Sequence, residues 1–111
     1  MLFYLLAAHA LFDFPLQSGP TVTEKSRHSK TELQKQVPWY YWLTAHALVH
    51  GGAVAFITHS VGFGIAETIC HWVIDFAKCE SWTSIHVDQA LHVLCKIAWV
   101  VLLLNGIKLD I

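Results

Sequence analysis

Charge is scarce in this chain of 111 residues. Charged side chains make up 14% of it, where an ordinary soluble domain carries about 25%. A small soluble domain needs polar groups to cover its large surface. Here hydrophobic residues reach 55%, and the mean hydropathy is +0.48. The balance points to a bilayer as solvent. An excess of positive charge is lacking too: seven Lys+Arg stand against eight Asp+Glu, a net charge of −1. That is no basis for nucleic-acid binding. Cysteine is limited to Cys70, Cys79 and Cys95, an odd set without C-x-x-C spacing. This argues against a disulfide framework or a zinc ribbon and suits reduced thiols. No Lys or Arg precedes the first apolar run and no small-residue cleavage site follows it, which argues against a secretory signal.

What is present is four apolar runs within one domain, residues 1–111. The runs are too long for strands and none alternates strictly, so each reads as a helix. The expected spans are about 2–16, 39–58, 61–77 and 84–107. Pro38 suits the start of the second helix. Gly62 and Gly64 suit a turn between the second and third, and Asn105-Gly106 the end of the fourth. The predicted fold is all-α: an antiparallel, transmembrane four-helix bundle with a polar loop, 17–38, between helices one and two. Runs one and three are short of the ~20 residues a span needs. A thinned bilayer, or a soluble bundle with an apolar homo-oligomer interface, would accommodate them. Lys25, Arg27, Lys30 and Lys35 crowd the first loop and Lys78 borders the third. By the positive-inside rule these loops face the cytoplasm, as in a multi-pass protein of the cell inner membrane, although Lys108 near the C-terminus argues the other way.

Eight histidines are also present: His9, His28, His46, His50, His59, His71, His86 and His92. Five of them join three aspartates in pairs four residues apart, one pair per helix: His9/Asp13, His46/His50, His71/Asp75 and Asp88/His92. Residues four apart share a helix face. Glu24/His28 and His28/Glu32 have the same spacing in the polar loop and read as a solvated face. An ionisable group in an apolar span costs about 2.5 kcal/mol or more unless it meets a partner or water. Convergence on a metal ion would compensate for that burial. Counted from the loop side, the four pairs fall at similar depth in antiparallel helices, most of them roughly 5–12 Å in. His9, Asp13, His46, His50, His71, Asp75, Asp88 and His92 are therefore the candidate metal ligands. The ligand set suits a divalent ion, zinc foremost, with iron or manganese as alternatives. Eight groups exceed one tetrahedral site, which leaves one ion with supporting partners or two ions. The competing reading is a polar network or proton relay that holds the bundle together.

Gln17 and Lys78 lie at the same mouth as candidate substrate-binding groups. Asp13, Asp75 and Asp88 double as candidate general bases. Gln89 adjoins Asp88 but is expected to point elsewhere, and Cys95 reads as a small core filler. Lys25 and Arg27 would bind a phosphate head group or simply set topology. Tryptophans such as Trp39 and Trp42 suit interfacial anchors.

His9-x-x-x-Asp13-Phe14-x-x-Gln17, Lys25, His46-x-x-x-His50, His71-x-x-x-Asp75-x-x-Lys78 and Asp88-Gln89-x-x-His92 resemble the domain-of-unknown-function family numbered 3307. That family comprises small bacterial and phage proteins described as integral membrane proteins. The resemblance spans roughly residues 2–100 and implies a membrane location but no reaction. A looser similarity to membrane-bound metal-dependent hydrolases implies hydrolysis of a lipid or phosphorylated small molecule. The function expected first is thus a metal-dependent hydrolase with membrane lipids around it. The alternatives are a membrane effector with a structural metal and a metal or proton carrier. A carrier needs polar groups continuing to the far side, where helix two offers only Gly51, Gly52 and Thr58 and helix four is apolar from Ile97 to Leu104.

Overall fold

The computed structural model describes residues 1–107, and Lys108, whose charge bears on the expected topology, lies outside them. No strand occurs among the described residues. Six helices do: α1 (Leu2–Asp13), α2 (Gly19–Glu24), α3 (Glu32–Gln36), α4 (Trp39–Thr58), α5 (Val61–Cys79) and α6 (Ile85–Leu104). The expectation of four helices is corrected by the two short ones in the polar loop. Each has a local cause. Ser18 caps α2 by accepting from the Thr21 N–H at 3.1 Å, and Thr31 caps α3 by accepting from the Gln34 N–H at 3.3 Å.

α1 stops at Asp13 rather than at residue 16. Pro15 disfavours helical geometry at the residue before it, and Phe14 sits at φ −123°, ψ −86°. α5 runs two residues past the expected 77, and α6 is shorter than 84–107 at both ends. Ser84 is the N-cap of α6, accepting from the Val87 N–H at 3.2 Å, and Asn105 closes it, followed by Gly106 at φ +74°.

Gly62 and Gly64 are not a turn: both lie inside α5. The α4–α5 turn is His59, left-handed at φ 55°, followed by the cap residue Ser60. Gly64 has a different purpose. A Cβ there would lie 2.7 Å from the Gly51 carbonyl oxygen and 2.6 Å from Ala55 Cβ. A Cβ on Gly51 would lie 2.6 Å from the Gly64 carbonyl oxygen. These glycines let the backbones of α4 and α5 approach where no side chain fits, the device of small-residue helix packing.

α1 packs on α4 and α6, α4 packs on α5, and α5 packs on α6. Short connections make sequential helices antiparallel, so one end of the assembly gathers Asp13, Trp39, Cys79 and Ile85. At the other end Leu5, Val54, Phe63 and Trp99 form an apolar core, with Cys70 and Cys95 packed against it as free thiols. Apart from Leu43 and Ala47 on α4, the rest of the buried interior is polar. Buried polar or charged residues outnumber buried hydrophobic ones, whereas Phe3, Phe56 and Leu104 are 76%, 81% and 82% exposed. α6 is the one described helix long and apolar enough to cross a membrane. α4 and α5 match it within a residue in length but carry His46 and His50, and Glu67, His71, Asp75 and Lys78.

Candidate metal centre

The i,i+4 stripes turn inward on all four long helices. His9, Asp13, His46, His50, His71, Asp75, Asp88 and His92 are all buried. Asp13, the last residue of α1, stands at their centre. Its Oδ1 lies 3.0 Å from His46 Nε2, 3.1 Å from His50 Nε2 and 3.6 Å from His71 Nε2. A tetrahedral ion with bonds of 2.0–2.1 Å places neighbouring ligand atoms about 3.3 Å apart. The spacing here is close to that. The Nε2 atoms of His50 and His71 are buried without a hydrogen bond, so their ring nitrogens converge on a carboxylate without the geometry that would satisfy them. Such unsatisfied groups call for an explanation, and a cation supplies one.

A second carboxylate borders the same space. Asp75 Oδ2 lies 3.2 Å from His46 Nε2 and 3.5 Å from His71 Nε2, while its Oδ1 faces His92 Nε2 at 3.3 Å. The other ligand-like atoms lie toward α1 and α6. His9 Nε2 is 3.6 Å from Asp13 Oδ2, and Asp88 Oδ1 is 3.5 Å from His92 Nε2. Three groups have their ligand atoms within 4.8 Å of one another: Asp13/His46/His50/His71, His9/His71/His92 and Asp13/Asp88/His92. Asp13 belongs to two of them through a carboxylate that can bridge.

Several neighbours depart from the sequence reading. Gln89 points into the site. Its Nε2 donates to Asp13 Oδ2 at 2.9 Å and Asp88 Oδ2 at 3.1 Å, and its Oε1 lies 2.9 Å from His9 Nε2. It begins one turn in from the end of α6, where a residue beside the inward stripe can still reach across to α1. Lys25 is neither a head-group ligand nor a mere topology signal. α2 carries it inward, and its Nζ donates to Asp75 Oδ2 at 3.0 Å. Arg27 and His28 both grip Glu80, the C-cap of α5, and hold its carboxyl below the ordinary range, Arg27 first. Glu24 is buried and accepts from Thr31, so the loop pairs are not simply a solvated face.

Glu67 and Lys96 escaped the sequence reading altogether. They form a fully buried ion pair between α5 and α6, with Trp99 Nε1 donating to Glu67 Oε2 at 2.7 Å. The signal was present: Glu67 is four before His71 and Lys96 four after His92, so each stripe runs one turn longer than the pair.

A cavity of about 370 Å³ opens onto the site from the loop end, lined by Gln17, Lys25, Asp75, Lys78, Asp88 and Gln89 among others. Gln17 also caps its own helix end, donating to the Asp13 carbonyl at 2.7 Å. Lys78 and Gln17 thus sit at the mouth, outside the ligand groups.

Fold and site define an all-helical protein whose interior gathers histidine and aspartate side chains able to hold a metal ion. The chain belongs to the family described as protein of unknown function (DUF3307), which matches residues 1–109. No curated protein and no solved structure matches it.

Proposed function

We propose that this protein is a multi-pass protein of the cell inner membrane, an antiparallel four-helix bundle that acts as a metal-dependent hydrolase. One observation carries the reading: four ligand atoms from Asp13, His46, His50 and His71 lie within 4.8 Å of one another inside a protein whose exterior is apolar. A large apolar exterior around a polar interior suits lipid as surroundings. The positive loop favours a mouth on the cytoplasmic side. Zinc fits the ligand set first, with iron or manganese as alternatives.

Asp13, His46, His50 and His71 would hold the divalent ion, which would supply a water of lowered pKa and polarise the bond under attack. The chain's own groups do the rest. Asp75 or Asp88 accepts the proton of the attacking water. Lys78 and Gln17, at the mouth, hold the anionic part of a lipid or a phosphorylated small molecule. The new bond forms from water oxygen to the acyl carbon or phosphorus, the ester bond breaks, and the leaving oxygen takes the proton that the carboxylate accepted. Ligands spread over four helices fix this geometry, and a rigid framework supports precise placement.

A carrier reading gains one turn from Glu67 and Lys96 and then meets Leu5, Val54, Phe63 and Trp99. An apolar layer of that kind favours a site open at one end.

The test is metal analysis of protein extracted from membranes, followed by His46→Ala. At least one zinc, iron or manganese per chain is expected, and metal-free protein with the pairs intact would refute the site. Loss of hydrolysis with the fold retained supports an enzyme, and loss of the fold makes the metal structural.

A further inference from the structure

Glu67 and Lys96 lie one turn beyond His71 and His92 on their helices, Trp99 lies nearly a turn beyond Lys96, and none of the three belongs to a ligand group. Glu67 and Lys96 are each 1% exposed. A buried ion pair is poor evidence of stabilisation, because apolar residues of similar volume often serve as well. Its presence under a histidine cluster calls for another explanation.

His71 supplies it. Its ring is stacked between His50, at 3.7 Å between centroids and 19° between planes, and His92, at 4.1 Å and 25°. Stacking on both faces fixes the plane of the imidazole. What stacking leaves open is which nitrogen carries the proton and which offers its lone pair. That choice follows from the partner of the nitrogen turned away from the ion. His71 Nε2 faces Asp13 and Asp75, whereas Nδ1 faces Glu67 Oε1 at 3.5 Å, and neither ring nitrogen makes a hydrogen bond in this arrangement. Trp99 engages the other oxygen, Oε2, and Lys96 engages Oε1 from the side of α6.

We propose that Glu67 is the positioning residue of His71. It accepts the Nδ1 proton and so presents Nε2 to the metal, while Lys96 and Trp99 hold the Glu67 carboxylate in place. The inference rests on the proposed metal site. Glu67 itself touches neither ion nor substrate.

The full-length double variant Glu67→Leu/Lys96→Met removes both charges together and leaves no unpaired charge, although Trp99 Nε1 loses its acceptor. It is expected to keep its helicity and monodispersity in detergent. Its zinc affinity, measured against a competing chelator, should fall about 10–100-fold, the usual effect of losing an outer partner of a ligand. Nitrogen-15 spectra of zinc-loaded wild type should show His71 bound through Nε2 and protonated at Nδ1, and the double variant should lose that preference. A folded double variant that binds zinc within about threefold of wild type, well short of that loss, overturns the inference while leaving the metal site standing. So does a zinc-loaded wild type whose His71 is protonated at Nε2, which decides the matter even where the double variant does not fold. Wild type that takes no zinc overturns the metal site itself and this inference with it.

Discussion

Gly51 and Gly52 are adjacent in α4, and replacing each with alanine should give opposite results. Alanine gains about 1 kcal/mol over glycine in a helix interior. At Gly52 a Cβ meets nothing within 4 Å, so Gly52→Ala should stabilise the protein by about 0.5–1 kcal/mol. At Gly51 the added Cβ would lie 1.8 Å from Thr68 Oγ1 and 2.6 Å from the Gly64 carbonyl oxygen. Thr68 can rotate, though it gives up its 2.8 Å bond to that carbonyl. The carbonyl is backbone and moves only with α5. Relieving the contact asks α4 and α5 to part by roughly 0.8 Å, toward ordinary van der Waals separation. Overpacking of this kind costs about 1–3 kcal/mol or more. The two variants should therefore differ by about 2 kcal/mol, or on the order of 10 °C in melting temperature for a chain of this size. The displacement also reaches the site, because His50 adjoins Gly51 and its ligand partner His71 is on α5. Metal bonds tolerate only about 0.2 Å, so Gly51→Ala should also bind zinc more weakly than Gly52→Ala. Circular dichroism melts in detergent and zinc titration check both effects. Equal melting and equal zinc affinity for the two variants would refute the close packing of α4 on α5.

Asp13→Asn should weaken zinc more than Asp88→Asn, because Asp13 Oδ1 faces three histidines; competition titration of the two variants checks the order, and His50→Ala should lose more than the 10–100-fold typical of an outer partner. Leu48→Asp, at the middle of α4's exposed face, should impair membrane integration, since an aspartate facing lipid costs about 2.5–3.5 kcal/mol near mid-span; an unchanged membrane fraction on alkaline extraction would instead mark α4's outer face as wet. The Glu80 carboxyl is depressed in the folded state, so its contribution is complete above its unfolded value and is lost as pH falls through the lower folded value. Hydrogen exchange across residues 26–29 should therefore accelerate below about pH 4.5 in wild type, and Glu80→Gln should show fast exchange already at neutral pH.

The long helices and the inward stripes were legible because a period near 3.6 survives in the sequence even when the buried face is polar. His9/Asp13 and His71/Asp75 could be read four apart without knowing what lay opposite. Lys25 could not. It comes from a loop, and only α2 and its Ser18 cap carry it to Asp75. Lys96 was hidden for another reason: one lysine inside a long apolar run barely alters its average, although its register with His92 marks the inward face. Glycine is ambiguous in principle, because the same missing Cβ serves a turn and a close helix crossing. At Gly64 the second use won, and His59 took the left-handed turn position. Gln89 shows the limit of reasoning by helical wheel, since a long side chain near a helix end can reach across to a neighbouring helix.

The salt bridge between Glu67 and Lys96 has a consequence for biogenesis. α5 leaves the ribosome with Glu67 and Asp75, and the cations that face them come from opposite directions along the chain. Lys25 has already been made. Lys96, Trp99 and His92 arrive only with α6. In the membrane setting proposed above, Glu67 then stands on α5 without its partners in lipid, so the α4–α5 hairpin would be kept from settling before the last helix joins it. A chain ending before residue 85 should accordingly stay sensitive to proteases that the complete chain resists.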